Sequence, residues 1–207
     1  MPEDAKVCWM FNNLEEAAKA SAARINELFL ESDRGCAILC AAQLDGELKE
    51  LHRQHIVSVA RPAESLLSDL FENFGPLSTF SARIKIAYCF GLISEADYRD
   101  LELMRRVRNA AAHSAASFSL SEAGTRAKVF EIQAPSRVIP QFPELKDSMT
   151  PEELAAARNP SEGSIPAKDY FLLAGLCLTN AILRQTWTQL KHHIQAQSGA
   201  RGGARQP

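Results

Sequence analysis

The chain has 207 residues, 46% of them hydrophobic, and its formal net charge at pH 7 is −2. A chain of this length can bury one sizeable core without a disulfide or a structural metal. The slightly negative charge excludes a protein whose overall field attracts nucleic acid, so any such contact needs a local group of cations. The five cysteines lack metal-ligand spacing and are predicted to be buried thiols of a reduced compartment: Cys8, Cys36, Cys40, Cys89 and Cys177.

Targeting and cofactor-binding signals are missing from the sequence. No basic segment followed by an apolar core opens the chain, and no apolar run is long enough to span a bilayer. We find neither a phosphate-binding glycine pattern nor a Gly-x-Ser-x-Gly elbow. His52 and His55 could approach one metal, but no third ligand has suitable spacing. The sequence therefore predicts a cytoplasmic protein with no cofactor and no metal.

Hydrophobic residues recur with a helical period along most of the chain, which predicts an all-α helical bundle. Prolines, glycines and capping residues set the boundaries. The predicted helices are 14–29, 33–51 with Ser32 or Asp33 as its cap, 62–71, a fourth that Ser78 or Thr79 opens, a fifth that starts at Ser94 and ends near His113, 119–130 and 170–194. The predicted core contains Ile38, Leu44, Ile84, Tyr88, Leu101 and Leu176.

Two segments depart from this period. Residues 134–166 contain six prolines and are predicted to form a surface excursion with one helical turn after Thr150. This excursion either wraps over the bundle or is partly disordered. Its predicted anchors are Val138, Ile139 and Phe142. Residues 197–207 are rich in glycine and are predicted to form a flexible tail. The chain is therefore divided into one helical domain, 1–196, and the tail.

The fifth predicted helix ends in the run Arg108-Asn-Ala-Ala-Ala-His113, which combines a permanent cation, an amide and an imidazole. A guanidinium holds phosphate with several donors, and histidine exchanges protons near neutral pH. These groups could cleave RNA without a metal, with His113 as acid or base, Arg108 stabilising the phosphorane and Asn109 orienting either group. The alternative is a solvated helix end, which these six residues alone favour.

The spacing within this run limits how one chain could use it. His113 lies about 140° from Arg108 around a regular helix. One chain therefore aims both groups at one phosphate only if the helix unwinds near His113. Otherwise a second copy of the chain must contribute one of them.

Further candidate binding residues are Arg83, Lys85 and Arg105. Arg83 and Lys85 point to different faces of the fourth predicted helix. For Arg83, a structural ion pair with a carboxylate such as Asp45 or Glu102 is favoured over a contact with phosphate.

Two runs of the sequence resemble the signature of the mannitol operon repressor family of bacterial regulators. The first, residues 74–93, reads Phe-Gly-Pro-Leu-Ser-Thr-Phe-Ser-Ala-Arg-Ile-Lys-Ile-Ala-Tyr-Cys-Phe-Gly-Leu-Ile. The second, residues 98–109, reads Tyr-Arg-Asp-Leu-Glu-Leu-Met-Arg-Arg-Val-Arg-Asn, and His113 and Phe118 follow it. The resemblance is good over residues 34–120, faint in the last helix, and absent from the proline-rich excursion and the tail.

That family also resembles a branch of the HEPN helical domains. In many HEPN ribonucleases an arginine, a polar residue and a histidine four to six positions after the arginine form an active site across a dimer interface. Arg108, Asn109 and His113 match this pattern. The resemblance therefore implies a homodimer whose interface includes the Arg108 helix, and a metal-independent endoribonuclease as an alternative function.

A protein that reads an operator directly needs a helix-turn-helix or a basic arm, and the sequence shows neither. The fifth predicted helix also carries acidic residues that would repel phosphate: Glu95, Asp97, Asp100 and Glu102. We therefore expect a regulator that represses through a protein partner. The alternatives are a ribonuclease with RNA as its substrate and a plain helical interaction domain.

Overall fold

The computed structural model describes residues 16, 19–20, 23–60, 62–115, 117–141, 150–158 and 165–202, and all regular structure in these ranges is helical, as predicted. The helices are α1 (residues 23–27), α2 (Asp33–Ala60), α3 (Glu64–Phe71), α4 (Phe80–Cys89), α5 (Glu95–His113), α6 (Ala123–Phe130), α7 (Ala134–Val138), α8 (Pro151–Arg158) and α9 (Ala167–Gly202), with 3-10 turns at Leu28–Leu30 and Ile139–Gln141. In this part of the chain, no helix combines the length and apolar character that a membrane span requires.

Two long helices, α2 and α9, run parallel through the centre of the bundle. At their amino ends, Lys168 Nζ donates a hydrogen bond to the backbone oxygen of Glu31 at 2.6 Å. Near the carboxyl end of α2, His55 Nδ1 lies 3.2 Å from Gln189 Oε1 of α9. Parallel neighbours need a long connection, and α3 to α8 provide it. Helix α5 packs mainly against α2 and α4.

One apolar cluster joins these helices. Of the predicted core residues, Leu44, Ile84 and Leu101 are fully buried in it, and Ile38 and Leu176 are partly buried at its edge. The prediction that Tyr88 belongs to the core is wrong, because 40% of this residue is exposed. Its spacing from Ile84 matches the buried stripe of α4, but its ring lies at the surface, where it stacks on that of Tyr98 of α5.

The cysteine prediction is confirmed for the thiols of the central helices and wrong for one other. Cys36, Cys40 and Cys177 are buried, and burial raises the pKa of Cys36 to about 12. These thiols stay protonated and serve as small apolar groups. Cys89 is exposed in the last turn of α4. Cys8 lies outside the described residues.

Three helix starts use the predicted capping residues. The accepting side-chain oxygens and donating backbone nitrogens are Ser32 Oγ and Gly35 N at 3.1 Å, Thr79 Oγ1 and Ala82 N at 3.2 Å, and Ser94 Oγ and Asp97 N at 3.1 Å. Each bond satisfies a backbone donor that has no partner within its own helix. These local signals therefore set where α2, α4 and α5 begin.

Helix α4 ends in a Schellman motif. Gly91 has a φ of +67°, and the backbone N–H of Leu92 donates to the oxygen of Ala87 at 2.8 Å. Glycine adopts this left-handed conformation without a steric penalty from a Cβ. The turn leaves Phe90, just before it, 64% exposed.

Several helix boundaries differ from the prediction. Helix α2 continues past Leu51 to Ala60, since Ile56 and Val57 near its end pack on a small cluster around α3. Helix α3 begins at Glu64 rather than at Pro62. Helix α9 runs from Ala167 to Gly202, which takes its last turns into the segment predicted as a flexible tail. Residues 203–207 and most of 14–22 lie outside the described residues.

The start of the proline-rich excursion is more regular than predicted, because it forms α7 and a 3-10 turn. Arg137 of α7 reaches α5, where it donates to Asp97 Oδ1 at 2.8 Å and pairs with Asp100 Oδ2 at 2.8 Å. These contacts fix the short helix, which could not persist alone at its length. Of the predicted anchors, Val138 and Ile139 are buried and Phe142 lies outside the described residues.

Candidate functional site

Helices α4 and α5 pack side by side and carry polar and aromatic residues along their common edge. On α5, the side of the helix that faces this edge carries residues 98, 102, 105 and 109, which are spaced i, i+4, i+7 and i+11, and Arg108 lies beside the last of them. We call this edge the α4–α5 face, and its residues are Ser81, Lys85 and Tyr88 of α4 and Tyr98, Glu102, Arg105, Arg108 and Asn109 of α5. It therefore brings together four of the six candidate residues: Lys85, Arg105, Arg108 and Asn109.

Arg105 is held by Glu102 on the same helix. Its Nε and Nη2 donate to the two carboxylate oxygens at 3.0 and 2.8 Å. These hydrogen bonds lower the pKa of Glu102, and the charges of Lys85 and Arg106 add to the effect. They also raise the pKa of Arg105. The charge of Arg105 is therefore compensated within the chain.

Arg83 is buried and serves the fold. Its Nε donates to the backbone oxygen of Leu77 at 2.8 Å, Nη2 donates to that of Ser78 at 3.5 Å, and Nη1 pairs with Asp45. The predicted ion pair with Asp45 is thus confirmed. The guanidinium faces the loop before α4 and has few donors left for a ligand. Lys85, two positions later, is exposed.

His52 extends this buried network. Its Nε2 donates to the backbone oxygen of Arg83 at 2.8 Å. Burial lowers the pKa of His52, the hydrogen bond to Arg83 opposes this, and the charges of His55 and Arg83 lower the pKa further. The ring is therefore neutral in the folded protein near pH 7 and holds α2 to α4.

We expect the stability of the protein to fall as the pH drops below about 6.5, because the unfolded His52 then takes up a proton that the folded ring resists. The contribution of neutral His52 to the free energy of unfolding is fully present above that pH. It decreases by at most about 1.4 kcal/mol per pH unit as the pH falls toward the lower pKa of the folded state. Urea unfolding of wild type and His52→Gln at several pH values measures it, since glutamine keeps the N–H donor. His55→Gln is the control. Equal slopes in wild type and His52→Gln would contradict the assignment.

A cleft of about 340 Å³ opens at the Arg108 end of the α4–α5 face. It is lined by Asp45, Ser78, Thr79, Phe80, Ser81, Arg105, Arg108 and Asn109. Arg108 Nη1 donates to Asn109 Oδ1 at 2.9 Å, which orients the guanidinium. Among the residues that the structure describes, no carboxylate forms an ion pair with Arg108. The cleft therefore holds one cation without a counter-charge.

His113 does not join this cleft. It is exposed in the last turn of α5 and is not among the residues that line the cavity. Helix α5 is regular through His113, so the alternative in which the helix unwinds there is wrong. The arrangement does not bring Arg108 and His113 together within one chain. Their joint catalytic role stays a prediction that requires a second copy of the chain.

The sequence analysis missed exposed aromatic residues at the carboxyl end of α4, Tyr88 and Phe90, and the ring of Tyr98 on α5 beside Tyr88; we call these three residues the aromatic surface. The rings of Tyr88 and Tyr98 stack with centroids 4.9 Å apart. The exposed ring of Phe90 lies 6.1 Å from that of His55. A helical period alone places Tyr88 with the core, whereas its spacing of three from the exposed Lys85 equally indicates a surface position.

Comparison with known proteins gives two matches. The sequence matches the mannitol repressor family over residues 37–159, which corrects the estimate from the sequence that the resemblance ends before the proline-rich excursion. A chain in the X-ray structure of the MtlR-HPr complex from Escherichia coli is 18% identical, with a TM-score of 0.56 over 81% of this chain and 98% of that chain. At that identity the likeness shows the fold. No curated protein has a matching sequence.

Proposed function

Because the chain belongs to the mannitol repressor family, we propose that it represses transcription by binding a protein partner, and that this partner is a protein of the HPr type. The observation that carries the proposal is the likeness to a chain crystallised in a complex with HPr, across 98% of that chain. The sequence offers no helix-turn-helix for direct reading of an operator, which favours regulation through a partner. Such a repressor acts in the cytoplasm.

The aromatic surface is the place where we propose that the partner docks. Exposed aromatic residues are enriched in the energetic centres of protein interfaces. Tyr98 also borders a groove of about 690 Å³ that Leu103 and Arg106 line. Arg106 is exposed and has no ion pair among the described residues. Aromatic anchors beside a groove that is lined mainly by charged and polar side chains, together with a rim cation, suit a protein surface.

We expect purified HPr from the same organism to bind this chain, and Phe90→Ala to weaken binding by at least about tenfold, as truncation of a central aromatic contact does. The substitution should leave stability within about 0.5 kcal/mol, since 64% of Phe90 is exposed. Isothermal titration calorimetry measures the affinity. Phe29→Ala is the matched control, because Phe29 is 45% exposed and precedes the amino end of α2, about 40 Å from the other end of this helix.

Two results would contradict this proposal. Absence of measurable binding to HPr would remove the partner, and equal weakening by Phe29→Ala and Phe90→Ala would remove the docking surface.

We also propose that the chain forms a homodimer through the surface of α5, because two-fold pairing is the commonest assembly and α5 presents unpaired polar groups. Sedimentation of the free chain measures whether it is a dimer, and sedimentation of its mixture with HPr measures the stoichiometry of the complex.

A further inference from the structure

The cleft at Arg108 has a net positive charge, which favours an anionic ligand. Asp45 is paired with Arg83, and Arg105 is paired with Glu102. Arg108 is half-buried, and within the described part of the chain its side chain donates one hydrogen bond, to the neutral side chain of Asn109. Each paired set is neutral, so the cleft keeps a net charge of one cation from Arg108. A guanidinium with one donor engaged has four N–H groups for a ligand.

We propose that this cleft binds the phosphate group of a small phosphorylated polyhydroxy compound as an effector of the protein. Arg108 would hold two phosphate oxygens with its planar fork of donors. With its Oδ1 engaged by Arg108, Asn109 has its amide N–H groups available to a third oxygen. The hydroxyl groups of Ser78 and Ser81 both donate and accept, which suits the alcohol groups of a polyol.

The size and charge of the cleft favour a small ester over RNA. A volume of about 340 Å³ is at the small end of ligand pockets. A polyanion gains affinity from several uncompensated cations along its backbone, whereas among the residues that line this cleft a single guanidinium is uncompensated. One phosphate with a neutral polar body fits this arrangement better.

Isothermal titration calorimetry with the whole chain tests the proposal. Mannitol 1-phosphate is the probe, because the family takes its name from mannitol. We expect binding that Arg108→Gln weakens by at least about tenfold, the usual effect of losing hydrogen bonds to a charged group. Arg106→Gln is the matched control, since it removes the same charge from an exposed neighbour that does not line the cleft. Asn109→Ala is a second variant, and thermal melting of each variant confirms that it is folded.

Inorganic phosphate, mannitol and single-stranded RNA are the comparison ligands in this assay. Weaker binding of inorganic phosphate and no binding of mannitol would support the proposal. Equal binding of inorganic phosphate and mannitol 1-phosphate would overturn the polyol part, and equal weakening by Arg106→Gln and Arg108→Gln would overturn the site. Binding of single-stranded RNA, but not of mannitol 1-phosphate, would also overturn it. The assay contains no HPr, so its failure is distinct from failure of the proposed partner.

Discussion

Replacing Arg83 with methionine is expected to lower the free energy of unfolding by roughly 3 kcal/mol, the lower part of the cost of breaking a buried ion pair. Methionine fills similar space but leaves the backbone oxygen of Leu77 and the carboxylate of Asp45 without their donors. An uncompensated buried acceptor carries the full cost of its lost hydration. The lower part of the range applies because 30% of the Asp45 side chain is exposed to water.

Urea unfolding of Arg83→Met, Asp45→Asn and the double variant measures this pair. The double variant should be more stable than the two single losses together imply, because it leaves no unpaired charge. Arg106→Met is the control for an exposed arginine and should change stability by less than about 0.5 kcal/mol. A loss below about 1 kcal/mol in Arg83→Met would show that the pair does not hold α4 to α2.

Replacing Gly175 with alanine is expected to destabilise the protein by about 1–3 kcal/mol, the usual cost of overpacking a core. A Cβ at this position would lie 2.3 Å from Cys40 Sγ, and also 3.6 Å from both Ile25 Cδ1 and Met104 Cε. Cys40 is fully buried, so its sulfur has little room to move. Alanine favours a helix over glycine by roughly 1 kcal/mol, which offsets part of the loss.

The partner substitution makes this expectation specific. Cys40→Ala removes the sulfur, so Gly175→Ala should be neutral or stabilising in that background. A denaturation cycle of the two single variants and the double variant measures the coupling. Gly46→Ala on α2 is the control, since a Cβ there has no atom within 4 Å. If Gly175→Ala were equally costly with and without Cys40, the clash would not be the cause.

Local sequence was sufficient to predict where several helices begin. Ser32, Thr79 and Ser94 cap their helices as expected, because a capping hydrogen bond joins residues two or three positions apart. The ends of α2 and α9 were not predictable in this way. Helix α2 continues past Leu51 because residues near its end pack on α3, and such a contact depends on the path of the intervening chain.

The sequence by itself determined the all-α class, the residues Arg108, Asn109 and His113 on one helix, and the angular separation that keeps His113 away from Arg108. Tertiary structure decided which cations are available. The sequence favours an ion pair for Arg83 but leaves Asp45 and Glu102 open as its partner. In the structure Asp45 of α2 pairs with Arg83 and Glu102 pairs with Arg105, whereas Arg108 has no carboxylate partner among the described residues. Tertiary structure also decided that Tyr88 is exposed, although its spacing along α4 is that of the buried residues. The physical reason is that periodicity gives a direction around one helix axis, whereas burial and charge pairing depend on the neighbouring helix that lies in that direction.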